Sequence, residues 1–178
     1  MNNTSITTLP VLITIVICFL CGISDYRTRK IPNVITLPSI ILGFILNTVL
    51  SFYYGFGWSG LLSSILGFAI GFGFFLIFYL ISHGKGMGAG DVKLFGAIGA
   101  LLGYKMTIYA LFATAITGLV IAVILFFPVF YALLRTANLS VLTSYRNKPV
   151  PYGVAIAIGT ILVSILFLFQ WIHMGTYF

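Results

Sequence analysis

Long runs of apolar residues, separated by short polar stretches, constrain this chain more than any other feature. The longest are Ile6–Ile23, Val34–Tyr53, Ser59–Ser82, Met106–Leu134 and Val154–Ile172. Because one bilayer crossing needs about 20 predominantly apolar residues, each run predicts a membrane-spanning helix. Only 6% of the residues are charged, against roughly a quarter in soluble domains. A soluble globular protein is therefore excluded.

A sixth, shorter run lies between the third and fourth of these segments. It comprises Leu94–Gly103 and, counted from Asp91, is a little over half of the usual spanning length. We expect this span to be short, tilted, or extended by the turn at Gly103 and Tyr104. The sequence therefore predicts an all-α bundle of six transmembrane helices in a single membrane-embedded domain, residues 1–178. The first run lacks a basic leader and a small-residue cleavage site, so we expect it to be retained as a span.

The basic residues predict the orientation of the bundle and its membrane. With six spans, one side of the membrane receives Arg27, Arg29, Lys30, Lys85, Lys93, Arg135, Arg146 and Lys148, and the other side receives only Lys105. By the positive-inside rule the first side is cytoplasmic, and both termini lie outside. The sequence thus predicts a multi-pass protein of the cytoplasmic (inner) membrane, surrounded by lipid. The net charge of +7 is spread sparsely over loops, so nucleic acid is not an expected partner.

Glycines in the third run predict close helix packing. Gly67, Gly71 and Gly73 recur at helical spacing, and small residues allow a neighbouring backbone to approach. A packing role is expected for all three.

Asp25 and Asp91 are the only acidic residues among 178. In the predicted topology Asp25 ends the first span and Asp91 begins the fourth, so both reach the cytoplasmic face. A charged acid within hydrocarbon costs at least about 2.5–3.5 kcal/mol, and a pair facing a cavity is expected to share a proton and titrate as a unit. Such a pair can activate a water against a peptide carbonyl and protonate the leaving amine.

The residues before Asp91 are small, which predicts space for a substrate. Gly88, Ala89 and Gly90 precede it, and we expect them to adopt positive φ and to leave space for an extended substrate. Gly84 and Gly86 are expected to make the preceding loop mobile, so that it gates substrate entry.

Two polar residues near the aspartates have open roles. Lys93 is interpreted either as a topology charge or as a residue that tunes Asp91. Asn33 either hydrogen-bonds near Asp25 or caps the second span.

Three blocks of this sequence resemble the type IV prepilin peptidases. Gly88–Asp91 matches the GxGD signature of membrane aspartyl proteases, and its extension Val92–Leu94 is similar to that of this family. Asp25 followed by Ile31–Asn33 is similar to the first catalytic block, and Pro151–Gly153 to the final one. The resemblance implies that Asp25 and Asp91 are catalytic, that Gly88, Ala89, Gly90, Lys93 and Asn33 shape the site or bind substrate, and that neither metal nor cofactor is needed.

The same resemblance implies a substrate and a reaction. The substrate is a prepilin-like precursor, a Flp/Tad pilin, pseudopilin or archaellin, with a short basic leader and an apolar helix. The leader is expected to be cleaved at the cytoplasmic face, and the resemblance implies association with pilus or secretion machinery. The chain has no insertion with paired CxxC motifs, so it looks like the small, peptidase-only type found with Flp/Tad systems.

Two other classes of function are compatible with paired acids. The first is a proton or cation transporter that uses the same two residues. The second is a non-enzymatic membrane subunit in which the aspartates are positional. Cys18 and Cys21 form a CxxC inside the first span, and we interpret them as small packing residues beside the site.

Overall fold

The structure, a computed structural model, describes residues 4–83, 87–136 and 152–175. These residues form helices and no strand. The helices are α1 (Thr4–Thr28), α2 (Asn33–Tyr53), α3 (Ser59–Ile81), α4 (Ala89–Thr136) and α5 (Tyr152–Gly175). The predicted all-α class is confirmed.

All five helices of the described residues are long and apolar enough to cross a membrane. The prediction of six separate spans is not reproduced, because the predicted fourth and fifth spans belong to one helical element, α4. Both chain ends, which the sequence places on the outer side, lie outside the described residues.

Helix α4 is sharply bent at Gly103, where φ is 72° and ψ is 172°. A straight helix would separate Gly118 from Asp91 by about 40 Å. Instead, Gly118 packs against Ala155 near the start of α5, whose Gly153 touches Asp25, and Asp25 interacts electrostatically with Asp91. The two arms of α4 therefore fold back on each other. Glycine is needed at the bend because φ is positive and because a Cβ there would lie 2.5 Å from Ser63 Oγ.

The bend leaves carbonyl groups without helical partners, and Asn47 of α2 binds them. The carbonyls of Ala100 and Leu101 would normally accept from residues four positions later, which lie beyond Gly103. Asn47 Nδ2 lies 3.0 Å from Ala100 O and 2.9 Å from Leu101 O, and 2.9 Å from Ser64 Oγ. One amide thus joins α2, α3 and the end of the first arm of α4.

Glycines bring α3 against the first arm of α4. A Cβ built on Gly71 would lie 2.7 Å from the carbonyl oxygen of Phe95, and one on Gly67 would collide with the backbone of Gly99. The predicted packing role of Gly67 and Gly71 is therefore confirmed. The expectation for Gly73 is wrong, because a Cβ there would meet nothing within 4 Å.

Candidate active site

Asp25 lies in the last turn of α1, with its side chain against the start of α5. The helix continues five residues past the predicted end at Ile23, to Thr28, so Asp25 is held by helical backbone. Its Oδ2 accepts a hydrogen bond of 3.2 Å from the N–H of Val154. The residue is only 7% exposed, so its carboxylate faces the interior of the bundle.

Asp91 is the third residue of α4. Its Oδ2 accepts a hydrogen bond of 3.0 Å from the N–H of Gly88, and its own N–H donates to the carbonyl of Gly88 at 3.1 Å. A side chain at this position that reaches back to the residue before the helix is half of a capping box. Asp91 therefore also helps to start α4, and it is 6% exposed.

The fold brings these two carboxylates together from helices that are distant in sequence. They are close enough for a Coulomb interaction between them. Each binds one backbone N–H through Oδ2. Among the described residues, Oδ1 of each aspartate accepts no hydrogen bond.

Of the two glycines just before Asp91, Gly90 is in a position where packing requires a small residue. Positive φ occurs at Gly55, Gly57 and Gly103 among the glycines described, so the expected positive φ at Gly88 and Gly90 is wrong. A Cβ on Gly90 would lie 3.0 Å from the Cβ of Ile31. Gly90 is thus small because the connection between α1 and α2 packs on it.

The remaining residues of the first turn and its preceding loop are placed differently. Ala89 is exposed at the first position of α4. Gly84 and Gly86, expected to gate the site, lie outside the described residues.

Lys93 and Asn33 contact each other beside the aspartates. Lys93 Nζ donates a hydrogen bond of 3.0 Å to Asn33 Oδ1. No side-chain hydrogen bond caps the start of α2, so the capping alternative for Asn33 is wrong. The pair connects the beginning of α4 to the beginning of α2.

The cysteines of α1 pack in the core beside the site. Cys18 and Cys21 are both fully buried and free, which confirms their predicted packing role. In the described part of the chain, no group of three or more His, Cys, Asp or Glu side chains is arranged to hold a metal ion.

Gly153 and Val154 were missed as site residues by the sequence reasoning. The block Pro151–Gly153 was recognised, but nothing in the sequence shows which side chain it touches. A glycine immediately after the start of a helix was the available signal.

Five apolar helices with two buried carboxylates at one end define an integral membrane protein with a paired-acid site. Its sequence matches the model of the type IV leader peptidase family over residues 12–123, which include both aspartates. The chain belongs to this family, so the resemblance drawn from the three sequence blocks is confirmed.

Curated relatives are named as prepilin peptidases. The chain is 30% identical over 161 residues to the prepilin leader peptidase/N-methyltransferase of Bacillus subtilis, covering 89% of this chain and 56% of that protein. It is 31% identical over 173 residues to prepilin peptidase EppA of Methanocaldococcus jannaschii, covering 86% and 46%. The chain thus spans about half the length of these relatives. No solved structure matches it.

Proposed function

We propose that this protein is an aspartyl endopeptidase that removes the short basic leader from type IV prepilin-like precursors. The observation that carries the proposal is the pairing of Asp25 and Asp91, the only two acids of the chain, in a buried site. The relative named only as a peptidase and the one named as a peptidase/N-methyltransferase both match this chain. The activity common to their names is the peptidase, and it is the one proposed here.

The geometry supports general acid–base hydrolysis. Each carboxyl group is oriented by a backbone N–H on Oδ2, and the proposed mechanism has Oδ1 of each group contact a water between the two residues. One carboxylate takes a proton from the water as the water oxygen attacks the scissile carbonyl. The other carboxyl group gives a proton to the leaving amine, so the pair ends with one proton, as it began.

The position of Asp25 and Asp91 in the helices also bears on the side of the membrane at which cleavage would occur. Counting the two arms of α4 as separate crossings places most basic residues on the side of Asp25 and Asp91, which is then cytoplasmic. A basic leader is retained on that side by the same rule. The junction between this leader and the apolar helix of the substrate would lie at the depth of the aspartates. The proposal also includes Flp/Tad pilins as the class of substrate and contact with pilus or secretion machinery.

The direct test is a cleavage assay in liposomes. The substrate is a synthetic peptide with a lysine-rich leader followed by an apolar helix, and the assay contains a chelator. Asp25→Asn and Asp91→Asn are each expected to lower the rate by about 10³-fold or more, since each removes one proton-transfer group. Tyr26→Phe, an exposed neighbour of Asp25, is the control and should cleave at the wild-type rate.

The outcomes separate the proposed enzyme from the alternatives. Cleavage that survives either Asn substitution would refute the dyad. Loss of wild-type cleavage in chelator would contradict metal-independent chemistry. The transporter alternative is not favoured by the family, and it predicts proton or cation flux that both Asn substitutions abolish without any peptide being cut.

A further inference from the structure

The first turn of α5 contacts Asp25, one of the two candidate catalytic residues. Among the described residues, this turn forms no hydrogen bond with Asp91. Val154 N–H donates to Asp25 Oδ2 at 3.2 Å. A Cβ built on Gly153 would lie 2.8 Å from both Cγ and Oδ2 of Asp25, and 3.0 Å from its Cβ. Real Cβ contacts are essentially never this short, so Asp25 keeps its position only with glycine at 153.

The electrostatic setting of Asp25 makes this contact necessary. Asp25 is in the last turn of α1, where the free carbonyl groups of a helix end give a negative potential that disfavours a carboxylate. The start of α5 offers the opposite: unpaired N–H groups and a positive potential. Asp91 needs no such partner, since it lies in the first turn of its own helix and accepts the Gly88 N–H.

We propose that the first turn of α5 is the positioning element for Asp25, with Gly153 providing the space and the Val154 N–H providing the donor. The inference rests on the proposed peptidase function for its kinetic consequence. Its structural part concerns only how the carboxylate of Asp25 is held. Gly153 and Val154 are positioning residues, because they act on the reaction through Asp25.

The chain offers an unusually direct probe of this arrangement. Its two acidic side chains are both aspartates, so an isotope label on the aspartate carboxyl carbon gives two side-chain signals by NMR in lipid nanodiscs. Asp25→Asn and Asp91→Asn assign them. The probe reports the environment of each carboxyl group whether or not a substrate is cleaved.

Two variants perturb the contact in different ways. Gly153→Ala places a methyl group against the carboxylate. Val154→Pro removes the donor, which the helix itself does not use because the first N–H groups of a helix have no intrahelical partner. Both variants should shift the Asp25 NMR signal and leave the Asp91 signal in place. Both should also lower kcat for the lysine-leader peptide by about 100-fold with little change in KM, as expected when a reacting group is displaced by about 1 Å.

Matched controls separate positioning from general damage to α5. A Cβ on Gly159 would lie 2.7 Å from the backbone nitrogen of Thr114, so Gly159→Ala crowds the same helix to a similar degree, away from Asp25. It should lower thermal stability without moving the Asp25 signal. Val154→Ala keeps the N–H that donates to Asp25 and should leave the Asp25 signal where it is in the wild type.

The result that overturns the inference is an unchanged Asp25 signal in folded Gly153→Ala and Val154→Pro protein. A shift of equal size in Gly159→Ala would overturn it as well, because the effect would then be one of helix packing. If the wild type cleaves no peptide while Gly153→Ala still moves the Asp25 signal alone, the positioning holds and the proposed function fails.

Discussion

Replacement of Asn47 by leucine tests how the bend in α4 is stabilised. Asn47 is the donor for the carbonyls of Ala100 and Leu101, which belong to fully or almost fully buried residues. Leucine has nearly the same size but no donor, so both carbonyls lose this partner where water is scarce. An orphaned buried acceptor costs about 1–3 kcal/mol, while interhelical hydrogen bonds in membranes average only about 0.6 kcal/mol.

For the two carbonyls together we expect Asn47→Leu to lower the free energy of unfolding by about 2–4 kcal/mol, a change of roughly 30- to 1,000-fold in the folded-to-unfolded ratio. Unfolding by SDS titration in mixed micelles measures it. Asn47→Asp should be at least as damaging, since it opposes carbonyls with acceptors. Thr48→Val is the control, because its hydroxyl only returns to Phe44 O within the same helix. A cost of Asn47→Leu below about 0.5 kcal/mol, which is the error of such a titration, or a cost no larger than that of Thr48→Val, would show that these hydrogen bonds do not stabilise the bend.

Two further predictions concern helix packing and the neighbours of the aspartates. Gly71→Ala should destabilise the protein by about 1–3 kcal/mol, because its Cβ meets the carbonyl of Phe95. The control variant Gly73→Ala should be neutral or stabilising by up to about 1 kcal/mol. Equal effects of the two variants in the same SDS titration would contradict this prediction. Lys93→Met and Asn33→Leu should each slow peptide cleavage several-fold, and the double variant should be no slower than the worse single one, because both break one hydrogen bond. Additive losses would show that the two residues act separately.

The candidate site was predictable as a set of residues but not as an arrangement. Asp25 and Asp91 were identifiable because acids are almost absent from the chain and an intramembrane acid is costly. The hydrogen bond between Lys93 and Asn33 was not, since side chains 60 positions apart meet only when α2 and α4 are packed. For the same reason Gly153 was recognised as part of a familiar block without its contact to Asp25.

Local signals also failed where tertiary packing decides the outcome. Gly67, Gly71 and Gly73 look equivalent on helical spacing, but the bent α4 covers only the first two. Gly88 and Gly90 were expected to supply unusual backbone angles, yet the close approach of Ile31 is what requires a small residue at 90.

The apolar runs and the scarcity of charge define a helical membrane protein, because a bilayer leaves a chain few other ways to pair its backbone groups. The scarcity of charge also singles out the two acids, and the short motifs around them indicate the family. The fold-back of α4 at Gly103, the Asn47 contacts that stabilise it and the support of Asp25 by α5 emerge only in the folded bundle. Each depends on contacts between residues far apart in the chain, and hydrophobic periodicity carries no information about which helices become neighbours.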